Sequence, residues 1–192
     1  LPAFMVCAWL HTNPVMVYAG QEFGERGMDA EGFSGLDGRT TIFDYWAVKS
    51  VVEGYYQRRK MDKHRKKLSE TYRQILNLRN LPAIAQGQFF DLMYANSQNS
   101  ALFNPDEQYV FLRKSVEQLL LIVVNFSPNQ QTVHVNIPEH AFNYLQMSQG
   151  TCQAIDLMTN KEQTVAWQPD QPFVTQVMGY GGKIYEIKCH EV

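Results

Sequence analysis

The texture of the sequence changes after Pro82, and no other feature constrains the fold as strongly. From there on, short β-type runs are separated by turn residues. Strands are expected near Gly87–Tyr94, Gln108–Arg113, Gln118–Phe126, Thr132–Ile137, Cys152–Asp156, Gln163–Ala166, Phe173–Val177 and Lys183–Ile187. Asn104-Pro105-Asp106, Ser127-Pro128-Asn129 and Gly181-Gly182 supply turns, each by fixing φ or tolerating a positive φ. Alternation is clearest in Thr132–Ile137, where Val133, Val135 and Ile137 face one way. Many short strands at this spacing point to an antiparallel sandwich or barrel.

The residues before Pro82 follow other periods. Leu1 to His11 is apolar with scattered breaks, like the end of a buried helix, and Asn13-Pro14 interrupts it because proline cannot donate to a helix ladder. Val15 to Tyr18 then reads as a short, fully buried parallel strand bracketed at its end by Gly20 and Gly24. Residues 25–46 look loop-like, with Gly27, Gly32, Gly35 and Gly38 among charged side chains, while Phe33, Phe43, Tyr45 and Trp46 argue for order. Helices are expected over Ala47–Gln57 and Asp62–Asn80. In the second, Leu68, Tyr72, Ile75, Leu76 and Arg79 share a face opposite Lys66, Lys67, Glu70 and Arg73. Helix after strand, then a run of strands, implies two units with a boundary near Leu81–Gly87.

A net charge of −2 gives no reason to expect nucleic acid or an anionic membrane as partner. The basic cluster Arg58 to Lys67 reads as a solvated helix face rather than a phosphate-binding patch. The apolar start is about half the length needed to cross a bilayer, and no membrane segment follows it. Cys7, Cys152 and Cys189 are odd in number and far apart, so they suggest neither a disulfide framework nor a C-x-x-C metal site and read as buried or incidental thiols. No cofactor or metal is expected. A chain opening at Leu1 without methionine, inside an apolar pattern, reads as part of something longer.

The segment from Asn13 to Gly24 resembles the last barrel strand of the alpha-amylase family, glycoside hydrolase family thirteen. That pattern runs glycine, any residue, proline, an apolar strand, then tyrosine, any residue, glycine, any residue, glutamate. Pro14, Tyr18, Gly20 and Glu22 match it, and Thr12 stands where the first glycine would be. The order of the remainder is similar too: a long loop, a helix pair ending in Leu76-Asn77-Leu78-Arg79, and a β domain with Asn125-Phe126-Ser127 at a strand end. The resemblance implies an α+β chain. Residues 1–84 would hold the last βα unit of a (β/α)₈ barrel, and residues 85–192 an all-β antiparallel Greek-key sandwich.

It also implies activity on alpha-glucans by a retaining mechanism in the full-length enzyme, whose catalytic carboxylates would all precede Leu1. The fragment itself is then expected to be inactive. Asp37 and Arg39 would contact glucose units, a carboxylate accepting from vicinal hydroxyls and a guanidinium donating in a fixed fork. The bland alternative is that both stabilise the loop, Arg39 pairing with Asp44. Glu22 is expected to tie the strand end to its neighbours rather than to act as an acid. Another class of function stays open, a carbohydrate-binding β module with a helical prefix, using Trp167, Phe173, Tyr180 or Tyr185 as platforms or keeping them as core.

Overall fold

The computed structural model describes residues 1–25, 48–98, 101–169 and 171–189. Contacts divide the chain into one unit made of Leu1–Asn13 with Leu78–Val192, and another made of Pro14–Asn77. The expected boundary near Leu81–Gly87 falls inside the first of these. Its helices are α1 (Pro2–Trp9), α4 (Pro82–Ala85) and α5 (Glu139–Leu145). Its strands are β1 (Gln88–Asp91), β2 (Gln108–Lys114), β3 (Leu119–Asn125), β4 (Gln131–Val135), β5 (Gly150–Asp156), β6 (Lys161–Trp167), β7 (Phe173–Val177) and β8 (Gly181–Cys189). The other unit contains α2 (Lys49–Tyr55) and nearly all of α3 (Lys63–Leu78).

Six strands form one sheet in the order β1-β2-β3-β8-β5-β6, and β4 pairs with β7 in a second, two-stranded sheet. All pairings are antiparallel. β8 returns to lie beside β5 after the chain has passed through β6 and β7. Between the sheets, Val110, Leu112, Leu121 and Val123 meet Val133, Val135, Phe173 and Val177 in one apolar cluster. The expected alternation holds: Val133, Val135 and Ile137 are buried together.

β3 departs from alternation because both its faces are covered. All seven of its residues are buried. Leu119, Leu121 and Val123 belong to the inter-sheet core, whereas Leu120, Ile122 and Val124 face the other way, where α1 packs against β3 and β8. α1 is apolar at every position and buries Phe4, Met5, Ala8 and Trp9. Its approach to the sheet is close. A Cβ on Gly182 of β8 would lie 2.7 Å from Met5 Sδ.

Two arginines fix the ends of the short helices. The Arg113 guanidinium, 2% exposed, donates from Nη1 to Leu10 O at 3.0 Å, from Nε to Ala83 O at 3.1 Å, and from Nη2 to Ile84 O at 2.7 Å and Gly87 O at 2.8 Å. Arg79 donates to the carbonyls of Ala8, His11 and Asn13. These are carbonyls at or just beyond helix C-termini, which have no partner within the helix. Burial, and then the nearby Arg79 charge, push the Arg113 pKa down.

Several expectations need correction. Residues 14–18 form no ladder with any strand among the described residues; Met16 and Tyr18 are exposed, so this stretch is not a buried strand here. A ladder needs a neighbouring strand, and none accompanies it. Gly181-Gly182 lies inside β8, and the turn instead uses Tyr180 at a φ of 50°. α5 was not expected at all; it buries Ala141, Phe142 and Leu145 against the inter-sheet core. The thiol reading fails as well. Cys152 and Cys189 form a disulfide, and only Cys7 is free, on the surface. The register of β5 on β8 sets Cys152 directly opposite Cys189, with their Cα atoms 4.1 Å apart, although 37 residues separate them in sequence.

Denatured without reductant, the chain should therefore show one reactive thiol, Cys7, and after reduction three. Replacing Cys152 and Cys189 together by serine should lower unfolding free energy by roughly 2–4 kcal/mol, read from denaturant melts. Three reactive thiols before reduction would refute the pairing.

Candidate functional site

Gly20 to Glu25 is where the sequence carries its most specific motif. Gln21–Phe23 forms a single 3₁₀ turn closed at each end by a glycine with positive φ, Gly20 at 84° and Gly24 at 76°. That backbone suits glycine and disfavours any residue with a Cβ. At Gly20 a Cβ would also lie 2.8 Å from Glu25 Cβ and 3.0 Å from Val51 Cγ2. The motif position Gly20 is thus explained by the backbone itself.

Two helices of the same unit hold this turn. Phe23 is buried, and its ring stands edge-on to Tyr55 with centroids 4.9 Å apart. It packs so tightly on α2 that a Cβ on Gly54 would overlap it. Arg65 of α3 donates from Nε to Phe23 O at 3.0 Å and from Nη1 to Glu53 Oε2 at 2.6 Å. Asp62, one residue before α3, accepts from the Arg65 backbone N–H at 2.9 Å, and that bond is the main cause of its lowered pKa. Gln21 accepts from the Tyr18 N–H at 3.2 Å and donates to the Tyr72 hydroxyl at 3.1 Å.

Both carboxylates of the turn are engaged in holding it. Ser50 donates to Glu25, and the Tyr55 hydroxyl donates to Glu22 Oε1 at 2.5 Å. The latter agrees with Glu22 as a tie between the turn and its neighbours. Glu22 Oε2 is buried and meets no donor among the described residues. The hydrogen bond to Glu22 is the largest cause holding Tyr55 protonated; with burial and the charge of Glu22, it pushes the Tyr55 pKa up to about 12.

Asp37 and Arg39, with Asp44, lie outside the described residues. The aromatic platforms expected on the β unit are mostly core: Trp167, Phe173 and Tyr185 are buried, and only Tyr180 is exposed. Tyr185 is tied down further, its hydroxyl 2.6 Å from Thr175 Oγ1 and accepting from Lys183 Nζ at 3.0 Å. Other rings, Tyr94, Tyr144 and His140, are exposed and group over Phe90. Tyr144 lies on the unforeseen α5, four residues after His140, and that i,i+4 spacing was the one signal in the sequence. Among the described residues no group of three or more His, Cys, Asp or Glu side chains could hold a metal ion, and no helix is long and apolar enough to cross a membrane.

No family model matches the sequence, and no curated protein matches it. Solved structures do match in fold. AmyP, crystallised in complex with maltose, superposes on 96% of this chain with 33% of its own, at a TM-score of 0.60 and 16% identity. An alpha-amylase from Anoxybacillus covers 98% of the chain with 32% of its own, at 0.55 and 17%. The maltogenic alpha-amylase AmyB from Thermotoga neapolitana covers 97% with 36% of its own, at 0.58 and 12%. The chain thus has the fold of one part of an alpha-amylase, and it spans about a third of the length of these enzymes.

The tie between Glu22 and Tyr55 can be measured. Ultraviolet titration of phenolate should show one tyrosine ionising near pH 12, and Glu22→Gln should bring it down toward the ordinary value of 10. A tyrosine pKa raised on folding contributes stability that is complete below the unfolded value and is lost as pH rises through the folded one. That contribution therefore fades between about pH 10 and 12. An unchanged titration in Glu22→Gln would show that the carboxylate does not hold Tyr55.

Proposed function

We propose that this chain is the C-terminal portion of an alpha-amylase-like glycoside hydrolase that acts on alpha-glucans by a retaining mechanism. In this reading residues 1–84 hold the end of a (β/α)₈ barrel, and residues 85–192 form the β-sandwich domain that follows it. The observation that carries it is the extent of the likeness: helices and sheet together, nearly the whole chain, superpose on part of several alpha-amylases. The motif Pro14, Tyr18, Gly20 and Glu22 supports it, because its glycine and glutamate sit in a turn fixed by two helices.

Retaining glycosidases set a general acid and a nucleophilic carboxylate about 5–5.5 Å apart across the scissile bond. Glu22 and Glu25 do not supply such a pair, since each is bound by a hydroxyl of α2 as part of the turn. The catalytic carboxylates then come from the rest of the enzyme, and this chain contributes the rim of the sugar cleft. Asp37 and Arg39 bind glucose hydroxyls there, through charge-assisted hydrogen bonds suited to vicinal diols.

The chain alone should release no reducing sugar from starch, maltoheptaose or pullulan. Turnover that disappears when one of its own carboxylates is replaced would sink this reading. In the longer enzyme, Arg39→Ala should lower kcat/KM on maltooligosaccharides about tenfold or more, the equivalent of roughly 1.5–3 kcal/mol for a lost charged hydrogen bond, with an unchanged melting temperature. A lower melting temperature with undiminished kcat/KM would make Arg39 a loop-stabilising residue instead.

A further inference from the structure

We propose that the β unit carries a second carbohydrate site, a platform formed by Tyr94, His140 and Tyr144 that binds an α-glucan chain and continues into the groove beside Tyr94. Phe90, 8% exposed, forms its base. Around it, Tyr94, His140 and Tyr144 have ring centroids 6.2, 5.6 and 5.5 Å away. The outer rings also touch one another: Tyr94 and His140 at 6.5 Å, His140 and Tyr144 at 6.2 Å. The Tyr94 hydroxyl lies 3.3 Å from His140 Nδ1. Tyr94 and Tyr144 nonetheless remain 52% and 59% exposed.

Single exposed tyrosines are ordinary, but three rings gathered over one buried phenylalanine form a contiguous aromatic surface. Distinct elements hold it in place. Tyr94 sits in the 3₁₀ turn Met93–Asn96, pinned by Asn96, which donates to Leu92 O at 2.8 Å and Asn136 O at 2.9 Å. His140 and Tyr144 are anchored by the core residues Phe142 and Leu145 of α5.

The chemistry of the groove selects the occupant. It has a volume of about 330 Å³, and Tyr94 forms one wall, with Ser97, Gln98, Leu102, His134 and Asn136 among the others. Among the described residues, none that lines it is a carboxylate, lysine or arginine. The side chains of Gln98 and His134 make no hydrogen bond among the described residues, so donors and acceptors stand beside the rings. The apolar CH faces of a sugar stack on aromatic rings while its hydroxyls take neutral donors and acceptors. Anionic ligands find no lysine or arginine among the described residues here, and the nearby Asp91 carboxylate, which accepts from the Met93 N–H at 3.0 Å, opposes them. A neutral oligosaccharide fits these features; that it is an α-glucan rests on the function proposed above.

The test is titration of the full 192-residue chain with maltoheptaose, followed by amide NMR, with cellohexaose in parallel. Shifts should cluster at Ser97, Gln98, Leu102 and His134. Tyr94→Ala and Tyr144→Ala should each weaken binding roughly three- to tenfold, in keeping with the loss of one stacking face. Tyr180→Ala, on an exposed aromatic outside the platform, should leave it unchanged. Tyr144→Gln, at an exposed helix position, gives the same reading if Tyr94→Ala proves unstable. Binding of maltoheptaose that ignores Tyr94 and Tyr144, or that depends on Tyr180, overturns the platform and leaves the amylase reading standing. Equal binding of cellohexaose overturns the α-glucan assignment. Binding of neither sugar overturns the platform, while the amylase reading is decided separately by activity of the longer enzyme.

Discussion

The β unit depends on one buried guanidinium. Arg113 lies on β2 and forms no ion pair among the described residues; its charge is met by four carbonyl oxygens. Leaving a buried guanidinium without partners would cost several kcal/mol, and leaving the last carbonyls of two short helices unbonded would cost more. Each cost cancels the other. Arg113 thereby ties α1 and α4 to the same strand, and α1 in turn covers the face of β3 that the two-stranded sheet leaves open. Remove that cover, and Leu120, Ile122 and Val124 would meet water on one side of the sheet.

Asn125 plays a comparable part at the other end of β3. Fully buried, it accepts from the Ser127 N–H at 3.0 Å and donates to Asn129 O at 2.9 Å and Met178 O at 3.2 Å. It closes the turn after its own strand and joins it to the end of β7. The Asn-Phe-Ser sequence that marks this position is therefore a polar hub with an exposed phenylalanine between its two bonding residues. In the other unit the same logic governs the turn at Gly20–Glu25, whose polar groups are taken up by Ser50, Tyr55, Arg65 and Tyr72. Glu22 and Glu25, the two carboxylates of that turn, are engaged in holding it.

A sandwich with both faces of its central strand covered leaves little room for large aromatic side chains to do anything but pack. Trp167, Phe173 and Tyr185 follow one another edge to face in the core, with centroids 6.3 and 4.9 Å apart. The rings grouped over Phe90 reach solvent from short helical connections at the margins, where a side chain is positioned by its neighbours without being enclosed by them. Tyr94, His140 and Tyr144 occupy such connections.

Local periodicity determined much of this chain. The apolar face of α3, the alternation of β4 and the positions of most other strands were legible residue by residue, because each is set by spacing and backbone sterics within a few positions. The tertiary structure decided what depends on partners distant in sequence. The register of β5 on β8 turned two incidental-looking cysteines into a disulfide. Packing on α1 buried the second face of β3 as well, and packing in the core withdrew three candidate sugar platforms from solvent. The stretch after Pro14 carries a strand's composition but no ladder here, because a strand exists only beside another. Side-chain type follows from the sequence alone; which groups meet follows from contacts that no local pattern encodes.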